Sequence, residues 1–105
     1  MWQKEELASR IQKGEETGLF SEKGEWTDLD QGVKKEVSFS LDLKQKAIVI
    51  DDRPLPFSQI RDMSMVKTNR LLCSSDDGYF ELFTKTGILR PYLMAWQICQ
   101  EGGEV

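Results

Sequence analysis

The feature that most restricts this chain is a change in the spacing of its apolar residues. From Val37 to Leu43 they fall at every second position, with Val37, Phe39, Leu41 and Leu43 alternating with Ser38, Ser40 and Asp42. A period of two puts all four on one face of an extended strand and the polar residues on the other. After Gly87 the spacing lengthens. Ile88, Tyr92, Ala95 and Cys99, widened by Leu89, Leu93 and Trp96, form one broad stripe at helical period. Pro91 is tolerated only in a first helical turn, and Gly102-Gly103 stops the helix. A set of one-faced strands followed by one amphipathic helix leaves few solutions. The apolar faces must share a sheet, and the helix is the obvious lid.

Further strands are legible between these two segments. Ala47–Ile50 is a short apolar run, and Asp51-Asp52-Arg53 makes a turn. Pro54 and Pro56 demand an edge or a break in the ladder. Phe57–Ile60 reads as a tight corner. Met63 and Met65 alternate with Asp62 and Ser64 in a strand that runs to Lys67, and Arg70–Ser75 is the next. Asp76-Asp77-Gly78 is the strongest hairpin signal, because Asp-Gly supplies the positive φ such turns need. Phe80, Leu82 and Thr84 then alternate with Tyr79, Glu81 and Phe83. The connections are short, so the strands are expected in an antiparallel meander.

The N-terminal third is less regular. Residues 2–13 read as a short charged helix with Leu7 and Ile11 as its thin stripe, a Glu6–Arg10 pair at i, i+4, and Gly14 and Gly18 beyond its end. Residues 14–35 are polar with isolated anchors, Leu19, Phe20 and Trp26, and hold at most one edge strand over 24–30. The expected fold is α+β, mainly β: five to seven antiparallel strands capped by a C-terminal helix, with a short N-terminal helix. Residues 1–18 are expected to form that helix and a linker, and residues 19–105 the domain.

Composition removes many functions. The 105 residues suit one domain. They contain no His, which excludes His-based triads and His metal sites. Lys and Arg number 14 against 18 Asp and Glu, so nucleic acid is a poor partner. Neither a G-x-x-x-x-G-K-[ST] nor a G-x-G-x-x-G loop is present to cradle phosphates. Asp28 with Asp30, Asp51-Asp52 and Asp76-Asp77 read as turn formers rather than as metal ligands or a catalytic pair. Cys73 and Cys99 read as buried reduced thiols. No cofactor or metal is expected, and the chain is not expected to be an enzyme by itself. The N-terminus lacks the apolar core of a signal peptide, and the longest apolar runs are far too short to span a bilayer. These features point to a cytoplasmic or membrane-peripheral protein.

The order of these elements resembles the pleckstrin-homology superfold in its compact bacterial and GRAM-like forms. The resemblance runs from Ala47 to Gln100, about half of the chain. It rests on Ile48-Val49-Ile50, the corner Leu55-Pro56-Phe57-Ser58-Gln59-Ile60, Arg70-Leu71-Leu72, Asp77-Gly78-Tyr79-Phe80-Glu81-Leu82 and a helix bearing Trp96. The N-terminal half departs from the family's seven strands by offering few clear ones. The resemblance implies a non-catalytic binding module. In that family an early loop with a K-x-(K/R)-x-R-like cluster holds inositol phosphates. Lys44-x-Lys46 is a fragment of such a cluster, and Arg53 is too distant in sequence to complete it. Lys44, Lys46 and Arg53 are the candidates for a membrane lipid headgroup, although ordinary solvated turn residues are the simpler explanation for them. Trp2 and Phe20 fall outside the regular patterns and are the candidates for contact with a partner protein or with another domain of a parent protein. The Phe57–Met63 corner followed by Asp77–Leu82 also resembles the region C-terminal to the catalytic domain of bacterial lysophospholipid acyltransferases. That family's catalytic His and Asp are separated by four residues. A chain without His could supply only the accessory part of such an enzyme.

Overall fold

The computed structural model describes residues 4–14, 16–85, 87 and 89–102; Trp2, Ile88 and Gly103 lie outside them. Helix α1 covers Lys4–Lys13. Strands follow at Leu19–Asp28 (β1), Val33–Asp42 (β2), Ala47–Ile50 (β3) and Arg53–Pro56 (β4). A 3-10 turn over Phe57–Gln59 leads to Ile60–Lys67 (β5), Arg70–Ser75 (β6), Gly78–Thr84 (β7) and helix α2, Arg90–Gly102.

All seven strands share one antiparallel sheet in the order β4-β3-β2-β1-β7-β6-β5, curled into a half-barrel. It consists of two meanders, β1–β4 and β5–β7, joined by a seam between β1 and β7. That seam runs from Gly24↔Thr84 to Asp28↔Phe80. The strand around Trp26 is therefore not an edge strand. It begins earlier, at Leu19, and occupies the centre of the sheet. A Cβ on Gly24 would overlap the Phe83 carbonyl oxygen, so glycine is what lets the seam close here. Strand β2 likewise starts at Val33, before its apolar alternation begins, because its first residues pair with β1 while staying exposed.

Strand β1 carries a bulge. Its register against β2 slips between Leu19 and Glu22, and Phe20 takes a φ of 53°. The Phe20 carbonyl is engaged by α2, where the Tyr92 hydroxyl donates to it at 2.6 Å. The Tyr92 ring meets Phe39 edge-on at 5.6 Å. Pro91 is the second residue of α2 and disturbs no interior bond. Phe39, Leu41, Ile48, Leu71, Leu82 and Tyr92 form the centre of the core.

Helix α1 packs on α2 and sends Leu7 and Ile11 into the same core. Burying one such side chain contributes about 1.5–3 kcal/mol, which a marginal ten-residue helix requires. Arg10 forms a two-point ion pair with Glu16, at 2.6 and 2.7 Å. The Glu16 carbonyl accepts the Leu43 and Lys44 N–H groups at 2.8 and 3.2 Å, fastening the helix to the β2–β3 turn.

Two hairpin turns use positive φ. In the β6–β7 hairpin the positive φ falls on Gly78 (125°), which is already the first residue of β7. The β3–β4 hairpin turns on Asp51 and Asp52, both with positive φ (49° and 66°). Two consecutive positive φ values are the signature of a type I′ turn, normally given to Asn-Gly or Asp-Gly. Asp51 offsets the strain by bonding twice to β2: its N–H donates to the Ser38 carbonyl, and its carboxylate accepts the Ser38 N–H at 2.9 Å.

Candidate functional site

The half-barrel has two unlike ends. One holds the β2–β3 turn, where Phe57 N–H donates to the Lys46 carbonyl, and the segment that fastens α1. The other is an open mouth formed by the β1–β2, β3–β4 and β6–β7 turns. Asp30 ties two of these together: its carboxylate accepts the Tyr79 N–H at 3.0 Å, and the Leu29 N–H donates to the Tyr79 carbonyl at 3.0 Å.

A cavity of ≈ 750 Å³ opens at this mouth. Trp26, Ile50, Leu55, Tyr79 and Phe80 supply its apolar surface, and Asp28, Asp51, Asp77, Lys35 and Arg53 its charges. Strand register explains the mixture. Lys35 lies opposite Trp26, and Arg53 lies opposite Ile50, which itself lies opposite Phe39. Both cations therefore sit on the core-side face, at the point where that face runs out into solvent. Lys35 Nζ stands 5.2 Å from the centroid of the Trp26 ring, a cation–π contact that keeps the indole partly covered. The Trp26 and Phe80 rings are 6.4 Å apart.

The residues singled out in the sequence are placed differently. Lys44 and Lys46 are exposed in the β2–β3 turn, at the end opposite the mouth. Arg53 is separated from them by the length of β3, about 13 Å at ordinary strand rise. The three basic residues thus do not converge. Lys46 lines a smaller cavity of ≈ 490 Å³ beside Phe57 and Cys99. Phe20 is partly buried and packs against the core from the β1 bulge. Trp2 lies outside the described residues.

Sequence reasoning missed the mouth. Tyr79 (55% exposed), Val33 (49%) and Leu29 (44%) are three of the four large hydrophobic residues most exposed among the described residues; Tyr79 lines the cavity, and Leu29 and Val33 flank the nearby β1–β2 turn. A signal for Tyr79 was available: alternation puts it on the face opposite Phe80 and Leu82.

The open sheet has two free edges, and both are obstructed. Strand β4 carries Pro54 and Pro56, which have no N–H to offer. On β5 the Met63 N–H is taken by the Asp62 carboxylate at 3.0 Å, and the Ile60 carbonyl by the Trp96 indole N–H at 3.0 Å. Such devices oppose pairing with another chain's strand.

The acidic pairs serve turns. Asp28 accepts the Asp30 and Gln31 N–H groups at 2.9 and 3.1 Å, and Asp76 pairs with Arg61 at 2.9 Å. Among the described residues no group of three or more His, Cys, Asp or Glu is placed to hold a metal ion. Both cysteines are free thiols. Cys73 is buried on β6, and burial pushes its thiol up to about 12, far from a reactive thiolate. Cys99 is only half-buried, contrary to expectation, and burial raises its thiol as well. Tyr92 is also raised, first by burial and then by nearby Glu22. Among the described residues no helix is long and apolar enough to cross a membrane.

No protein-family model, curated protein or solved structure matches the chain.

Proposed function

We propose that this chain is a non-catalytic docking module with a pleckstrin-homology-like fold, which holds a protein segment in the mouth of the half-barrel. The segment comes from a partner protein or from the remainder of a parent protein. Two meanders in one curled sheet with a C-terminal helix against it support the fold reading.

The observation that carries the functional reading is the ≈ 750 Å³ cavity, lined by Trp26, Ile50, Leu55 and Phe80, with the exposed Tyr79 among its lining residues. Exposed aromatic and aliphatic side chains around a concave apolar floor are where binding energy concentrates in protein interfaces. The obstructed sheet edges favour the mouth over strand addition. Arg53 stands apart from Lys44 and Lys46, which favours a protein segment over a lipid headgroup as the occupant.

The test is selection of short random peptides on the immobilised protein, with Tyr79→Ala as the counter-screen. Tyr79 is exposed, so its removal leaves the core intact. Selected peptides should bind wild type about tenfold more tightly than Tyr79→Ala, a typical loss for an interfacial tyrosine. They should also shift the Trp26 indole N–H resonance. Failure to select any Tyr79-dependent peptide refutes the reading.

A further inference from the structure

Strand register lines up one row of residues across the outer face of the sheet. Residues directly opposite each other in an antiparallel pair share a face. Glu36 lies opposite Glu25, Glu25 opposite Phe83, Phe83 opposite Arg70, and Arg70 opposite Lys67. Their chain neighbours Val37, Leu82 and Leu71 are buried in the core, so this row points away from it. The row crosses five strands with two carboxylates at one end, a half-buried aromatic ring in the middle and two cations at the other.

The acidic end is incompletely compensated. Like charges directly opposite each other weaken a ladder. Lys23 and Lys34 lie two positions along the same strands, yet neither the Glu25 nor the Glu36 side chain makes an ion pair or hydrogen bond among the described residues. At the basic end Arg70 pairs with Glu81 and stands 4.7 Å over the centroid of the Phe83 ring, while Lys67 is exposed and unpaired. A row of this kind is complementary to its own reverse. A two-fold axis running along β7 above the face supplies that reversal: Phe83 meets Phe83, Glu25 meets Arg70 of the second copy, and Glu36 meets its Lys67.

From this we infer that the outer face joins two copies of the chain, sheet on sheet, in an isologous dimer. Each charged contact then occurs twice, and the carboxylates opposed within one sheet gain cations from the other. The face is the convex side of a curled sheet, so the two copies diverge away from the axis. Phe83 sits where they are nearest, and the long Glu and Lys side chains at the ends of the row span the widening gap. The obstructed edges of the sheet leave this face as the route to self-association. None of the five residues lines the mouth, so the inference stands or falls apart from the docking reading.

Sedimentation velocity of the full chain over a concentration series tests it, using wild type, Glu36→Lys and Lys67→Glu, with circular dichroism to compare their folds. Both substituted residues are exposed. Wild type should approach twice the chain's mass as concentration rises. Each single variant sets like charges together at both ends of the dimer and should weaken self-association about tenfold or more. An equimolar mixture of the two variants should recover the dimer, because every pair between unlike copies is again of opposite sign. Both variants keep a net negative charge, so attraction between bulk charges does not account for such recovery. A wild type that stays monomeric throughout overturns the inference. So does a wild-type dimer that neither substitution weakens, and so does a mixture no more associated than its components.

Discussion

Gly24→Ala tests the seam that makes one sheet of two meanders. In an ordinary strand interior alanine is favoured over glycine by about 0.5–1 kcal/mol, because it loses less backbone freedom on folding. At Gly24 the sign should reverse. An added Cβ overlaps the Phe83 carbonyl oxygen and lies 2.9 Å from the Phe83 carbonyl carbon and 3.0 Å from Phe39 Cε1. The main obstacle is backbone, so no side-chain rotation relieves it. Overpacking of this kind costs about 1–3 kcal/mol. Forcing β1 from β7 also weakens ladder bonds between Gly24↔Thr84 and Asp28↔Phe80, each worth about 1 kcal/mol net. Against the small propensity gain, the net expectation is a loss of about 2–3 kcal/mol, or roughly 10–20 °C in Tm for a domain of this size. Urea denaturation followed by far-UV circular dichroism measures it, with thermal melting as a second reading. Gly18→Ala is the comparison, since it has open space but a φ of 67° and meets backbone strain alone. A Gly24→Ala protein as stable as wild type, or more stable, would refute the argument that β1 and β7 approach too closely for a side chain.

Four other outcomes are expected. Asp52→Gly should stabilise the protein by about 1 kcal/mol in urea denaturation, because Asp52 holds a φ of 66° that glycine adopts freely. Tyr92→Phe should cost about 1–2 kcal/mol in the same assay by leaving the Phe20 carbonyl without its hydroxyl donor. The Arg10 hydrogen bonds hold the Glu16 carboxyl below its ordinary 4.5, so this ion pair contributes fully above that value and is lost as pH falls through the lowered one. Protection of the α1 amides, taken relative to their intrinsic exchange rates, should therefore fall on acidification below about pH 4.5, and Glu16→Gln should remove that dependence. In thiol labelling near neutral pH, Cys99 should react in the native state and Cys73 only as fast as the protein unfolds; prompt labelling of both would contradict the buried β6 position.

The sequence announced most of the β5–β7 meander, β2, β3 and α2, because those segments bury one face and their period survives intact. Strand β1 was hidden for a physical reason. Leu19 and Trp26 both belong to the partly buried layer against the core, yet they are an odd number of positions apart, so simple alternation assigns them to opposite faces. The bulge at Phe20 inserts the extra residue that reconciles them. Gly24 dilutes the pattern further by contributing no side chain. The Asp76-Asp77-Gly78 hairpin stands where the sequence places it, with Gly78 carrying the positive φ, whereas the turn on Asp51-Asp52 takes two positive φ values without glycine, held by bonds to Ser38. The relative placement of the basic residues was not legible, because distance along the chain does not say which end of a strand a residue occupies. Lys46 and Arg53 flank a four-residue strand and its turn, and so stand at opposite ends.

The mouth illustrates a second limit. No short segment contains it. Trp26, Lys35, Arg53 and Tyr79 come from four strands and meet only because the seam brings β1 beside β7. The physical case for it is one of contrast with the rest of the surface. An open sheet is ordinarily most vulnerable at its edges, and here prolines guard one edge while Asp62 and Trp96 occupy groups on the other. Those edges are obstructed, yet Tyr79 at the mouth and Leu29 and Val33 beside the adjoining β1–β2 turn stay in solvent. Leu29 and Val33 flank a β1–β2 turn already held by Asp28 and Asp30 hydrogen bonds, so neither apolar side chain is needed to form that turn. Retaining apolar surface where polar residues would serve the fold equally well is the pattern expected of a surface kept for contact.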